Sequence, residues 1–161
     1  MLIQFSGVPE IFRKLSYSEK LRPKWLVQTS ETDEPDAEIK KHISENLQTA
    51  IPKLDNIGFK LIGASDAMKD INENSLTLFY RESTEDETKF VLHILPVECD
   101  FVKKLNEQDS KVRDGVNHFS IDTLSIVYFE KSKLEFIIVH FDGDLENALK
   151  IAAEINKSTN K

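Results

Sequence analysis

Four histidines, one cysteine and two runs of carboxylates are the side chains here with the chemistry to do work. His42, His93, His118 and His140 are the candidates for proton transfer or metal ligation. A metal site draws its His, Cys or carboxylate ligands at recurring close spacings, and none of the four has such a neighbour. His93 and His140 fall inside strand-like patterns, and His42 borders the apolar stripe of a helix. They read as half-buried or surface histidines. An enzyme would have to assemble its site from scattered residues such as His93, His118, His140 and nearby carboxylates.

His118-Phe119-Ser120 and His140-Phe141-Asp142 resemble the paired His-x-Ser/Thr motifs of two-histidine phosphoesterases. The second copy carries Asp in place of a hydroxyl, and 22 residues are too few to separate the two halves of that fold. The resemblance is rejected. Asp142-Gly143-Asp144-Leu145-Glu146 invites a calcium reading, but the glycine is misplaced and position twelve of the loop is Ala153, not glutamate. A strand-to-helix turn accounts for it. Cys99 lies between Glu98 and Asp100, which work against a nucleophilic thiolate. No glycine-rich phosphate loop and no Gly-x-Ser-x-Gly elbow occurs, and the chain holds five glycines in all. No metal or cofactor is expected.

The carboxylates cluster in two loops: Glu31, Asp33, Glu34, Asp36 and Glu38, then Glu82, Glu85, Asp86 and Glu87. They could be acid-base pairs, a docking surface or solubilising charge. A basic-aromatic leader precedes them, with Arg13 and Lys14 interleaved among Phe12, Tyr17 and Trp25. Arginine beside aromatics suits a protein hot spot as well as base stacking. Residues 1–30 carry five basic and two acidic side chains, the rest sixteen and twenty-six, so a leader of +3 faces a body of −10.

These groups must be positioned by the stretch 122–156. Leu124, Ile126 and Tyr128 alternate with Ser125, Val127 and Phe129, a strand pattern. Leu134–Phe141 is almost continuously apolar, as in a strand covered on both faces. The Glu130–Lys133 link lacks an Asn-Gly or Gly-first signature, which predicts a longer loop built on a type I turn. Asp144 is the expected N-cap of a helix whose Leu145, Ala148, Leu149, Ala152 and Ile155 form an apolar stripe.

Upstream, Lys24–Thr29 reads as a strand. Ile39, Ile43, Leu47 and Ala50/Ile51 predict one helix closed by Pro52. Ile57, Phe59 and Leu61 predict a strand, and Ser75–Glu82 with Lys89–Leu95 a strand pair. Val97–Glu107 reads as a short helix, and Gln108–Asn117 as a loop. The expectation is an α+β fold: a mainly antiparallel sheet of about five strands, with hairpins near 75–95 and 123–141, packed by helices near 36–51 and 144–156. Residues 1–30 form an N-terminal segment that can dock on the body, and residues 31–161 one acidic domain.

A chain of 161 residues buries roughly 70% of its unfolded surface and needs no disulfide or metal to hold a core. The single cysteine fits a reducing compartment. With no apolar run of membrane length and no signal-peptide pattern, a cytoplasmic protein is the expectation. The net charge of −7 argues against general affinity for nucleic-acid backbones. The leading reading is a non-enzymatic acidic domain binding a basic protein, in the manner of immunity proteins or inhibitors. The element order from Asp36 to Ile155 also resembles that of type III secretion chaperones, which implies a homodimer. Mimicry of nucleic acid by ordered carboxylates is a further alternative.

Overall fold

The computed structural model describes residues 25–28, 35–41, 43–65, 68–69, 71–85, 87–108, 110–121 and 123–158. Eight strands form one antiparallel sheet in the order β1-β2-β3-β4-β8-β7-β6-β5. They are β1 (Trp25–Gln28), β2 (Phe59–Ser65), β3 (Leu76–Glu82), β4 (Thr88–Pro96), β5 (Lys111–Arg113), β6 (Val116–Ile121), β7 (Leu124–Lys131) and β8 (Leu134–His140). The helices are α1 (Pro35–Lys40), α2 (Glu45–Gln48), α3 (Asp100–Asn106) and α4 (Leu145–Ser158). The α+β class stands as expected, but the strand count does not. Part of the excess comes from Gln108–Asn117, which holds the β5–β6 hairpin instead of a plain loop.

β8 is central, paired with β4 from Phe90↔His140 to Pro96↔Leu134 and with β7 from Ser125↔His140 to Lys131↔Leu134. All seven of its residues are buried. Its even positions Leu134, Phe136 and Ile138 join the larger core with Val127, Phe129, Leu92 and Phe90. On that face lie Ile39 of α1, Leu47 of α2 and the α4 stripe Ala148, Leu149, Ala152 and Ile155. Its odd positions Ile137 and Val139 meet Ile126, Tyr128 and Leu95 on the other face, under Val102 and Leu105 of α3. An unbroken apolar run is what a strand clothed on both sides requires.

Two local expectations fail. The helix predicted over 36–51 is split into α1 and α2, with a bend at Ile43. The buried stripe survives the break, because Ile39, Leu47 and Ala50 still face the sheet. The β7–β8 connection is tight: Lys131 pairs directly with Leu134, leaving two turn residues. Ser132 and Lys133 both take positive φ, 55° and 67°. That is the conformation whose twist matches a hairpin, here without the glycine or asparagine that usually adopts it.

Candidate functional site

The end of the sheet where β3 runs out, β4 begins and β8 gives way to α4 gathers more charge than any single stretch of sequence predicts. β4 and β8 are neighbours although some 45 residues apart in the chain, so the Glu82–Glu87 turn comes beside Asp142-Gly143-Asp144. The pairing Tyr80↔Phe90 followed by Arg81↔Thr88 leaves Lys89 as an extra residue in β4. A bulge of this kind re-aims a side chain. Lys89 Nζ lies 3.4 Å from Glu82 Oε1 and 2.7 Å from Asp142 Oδ2, tying the two acidic loops together. The Asp142 carboxylate, ahead of the cost of partial burial, raises the Lys89 ammonium above its ordinary value. Burial pushes Asp142 upward, but Lys89 and His140 outweigh it and hold the carboxyl below its usual range.

Arg81 fastens the turn itself. Its Nη1 donates to the carbonyl oxygens of Glu82, Ser83 and Glu85 at 3.0, 3.1 and 2.9 Å. On the far side of the joint, Asp144 Oδ1 accepts from the Asn147 backbone N–H at 3.1 Å, the expected N-cap. Gly143 has φ of +68°, and a Cβ there would sit 2.7 Å from the Thr123 carbonyl oxygen. Arg113 of β5 forms an ion pair with Glu146 in the first turn of α4. Glu82, Asp142 and Glu146 are therefore occupied. Glu85, Glu87 and Asp144 are exposed and have no ion-pair partner among the described residues.

Beneath this surface His140 is fully buried. Asn147 Nδ2 donates to its Nε2 at 3.2 Å, so the neutral ring keeps its proton on Nδ1. Nδ1 is 2.7 Å from Asp142 Oδ1, close but out of line for a full hydrogen bond. Burial pushes the imidazole below its ordinary value, against the upward pull of Asp142, Asp144 and Glu82. Chemically this is a neutral histidine holding a strand-to-helix joint, with both ring nitrogens turned to protein.

Of the other histidines, neither His93 nor His118 joins it. His93 is on the opposite face of the sheet, 2.9 Å from Thr77 Oγ1 through Nδ1, because it pairs with Ile137 and not with an even position of β8. His118 is half-buried on β6, separated from β8 by β7, and His42 lies outside the described residues. Among the described residues no group of three His, Cys, Asp or Glu could hold a metal ion. Cys99 is buried just before α3.

Of the residues singled out for partner binding, Glu82, Glu85 and Glu87 lie on the β3–β4 turn. Asp36 and Glu38 lie on α1 and Trp25 on β1. Arg13, Lys14, Glu31, Asp33, Glu34 and Asp86 lie outside the described residues. Asp142 and Asp144 contribute to the same surface, which no local pattern around them indicates. Apolar strands of matched length near 90 and 138 were the one available signal that those two loops would meet.

No family model matches the sequence. No curated protein and no solved structure matches it either.

Proposed function

We propose that this chain is a non-catalytic protein-binding domain that offers the acidic end of its sheet to a basic partner, as inhibitors and immunity proteins do. The observation that carries this reading is the union of two acidic loops through Lys89, with Glu85, Glu87 and the helix-capping Asp144 exposed at one rim and outside any ion pair among the described residues. Like charges held together by a rigid joint raise the local potential and steer an oppositely charged protein. Glu85 and Glu87 also have no ion pair to give up, among the described residues, before engaging arginine or lysine. His140 supports the reading from below, since its nitrogens serve the joint.

The test is affinity capture of proteins from the native host on wild-type chain and on E85K/E87K/D144N, in which asparagine keeps the helix cap and removes the charge. Partners retained at low salt, released as salt rises and lost with the triple variant support the proposal. A matched reversal at exposed Glu73 and Glu107 should leave capture intact.

A second reading, a homodimeric secretion-type chaperone, draws on one observation. Helix, three strands, helix, further strands and helix follow in order, with α1, α2 and α4 on one face and α3 on the other. Light scattering separates the two: a dimer favours the chaperone, a monomer the acidic inhibitor.

A further inference from the structure

The smaller core lies under one short helix, α3, and Glu135 stands beside it. Glu135 shares its side of β8 with Ile137 and Val139, is buried, and has neither carboxyl oxygen in an aligned hydrogen bond. A buried polar group without a partner bears the full cost of its lost water. The register puts Glu130 of β7 directly opposite on one flank and Leu95 of β4 on the other. Like charges facing each other across strands repel. The last turn of α3 closes over this place: the Asn106 side chain reaches Glu135, and the Leu105 carbonyl accepts from Tyr128 Oη at 3.4 Å.

No ion pair within 4.0 Å joins Glu135 to a described lysine or arginine. Lys131 is turned to the other face, where it donates to the Asn156 carbonyl, and Lys69, Lys103, Lys104 and Lys133 are exposed. The acids flanking and within α3, Glu98, Asp100 and Glu107, are exposed too. The other titratable groups described on this face are Tyr128, Cys99 and His93, whose Nδ1 is 2.9 Å from Thr77 Oγ1. The helix itself is lightly held. Its seven residues are too few to persist alone, and its N-cap Cys99 makes no side-chain cap bond. The chain is tied down on either side of it: the Val97 N–H donates to the Lys133 carbonyl at 3.1 Å, and Ser110 Oγ donates to Asn117 Oδ1 at 3.3 Å. A short element between two ties can lift while both hold.

We propose that Glu135 is a proton-operated latch on α3: protonated, it lets the helix close over the smaller core, and ionised, it drives the helix off the sheet so that water reaches the carboxylate. Burial first, then the Glu130 charge, push the carboxyl of the closed form from 4.5 up to about 7. A value raised in the closed form makes closure fully favoured below about pH 4.5, and that advantage is lost as pH climbs through 7. Opening uncovers Leu95, Ile126, Tyr128 and Ile137, an apolar surface that the closed protein hides. The latch is on the face away from α4 and does not depend on the proposed docking surface.

The experiment is native-state amide hydrogen exchange on the full chain, wild type and E135Q, from pH 5 to pH 8 with and without low denaturant. Rates are corrected for the intrinsic pH dependence of exchange. The amides of Lys103, Lys104 and Leu105 should be less protected than those of Ile137 and Ile138 on β8, and indifferent to low denaturant, as local opening requires. Their protection should fall roughly 70-fold from pH 5 to pH 8, the ratio set by values of 4.5 in the open form and about 7 in the closed one. In E135Q it should stay nearly level across that range, while protection on β8 shows that the fold is kept. Three results would each overturn the proposal. They are α3 amides that exchange only together with those of β8, protection in α3 equal at pH 5 and pH 8, and a wild-type pH dependence persisting in E135Q.

Discussion

Glu135 and His140 sit on opposite faces of the same strand, and each resists the charged form in its own way. Glu135 is 1% exposed, opposite Glu130 across β7, with neither carboxyl oxygen in an aligned hydrogen bond. Burial, then the Glu130 charge, push it from 4.5 up to about 7, and the nearby Asn106 side chain offsets little of this. Its folded value is raised, so its penalty is absent below about pH 4.5 and grows as pH climbs through 7. E135Q should therefore stabilise the fold at pH 8 by up to about 3 kcal/mol and by nearly nothing at pH 4. Denaturant melts at the two pH values check this, and an equal effect at both would contradict it. His140 has the opposite sign: its depressed value makes the fold lose stability as pH falls below 6.5. In H140Q the stability from pH 7 down to 5 should accordingly rise more, or fall less, than in wild type. None of this was visible from residue types alone. A strand covered on both faces implies a buried Glu135, but the sequence does not show that Glu130 stands opposite it.

At the scale of elements, the sequence disclosed most where one physical rule acted alone. The alternation in β7, the continuous apolar run of β8, the Asp144 cap and the α4 stripe all appear as read, because each is a local pattern answering to one sheet. The rule failed where tertiary packing overrode local preference. The stripe from Ile39 to Ala50 satisfies the core without a continuous helix, and Ser132-Lys133 adopt a turn their side chains disfavour because β7 and β8 are in tight register. Two substitutions measure these joints. G143A sets a Cβ against the Thr123 carbonyl at positive φ and should cost roughly 1–3 kcal/mol in denaturant melts. K133G relieves the strained turn and should gain up to about 1 kcal/mol.

Across the whole molecule, charge is partitioned between the two ends of one sheet. The acidic loops meet at one end, and the β7–β8 turn presents Lys131 and Lys133 at the other. Composition announced a body of −10 but could not say where the charge gathers, because that depends on β4 pairing with β8. No helix among the described residues is long and apolar enough to cross a membrane. The central claim is that the acidic end recognises a basic protein. Its most direct measurement is the salt dependence of partner capture by wild type and E85K/E87K/D144N, side by side. The account predicts a partner that wild type holds at low salt and releases as salt rises, and that the triple variant fails to hold at any salt. Capture that is indifferent to salt and to the three substitutions would contradict it.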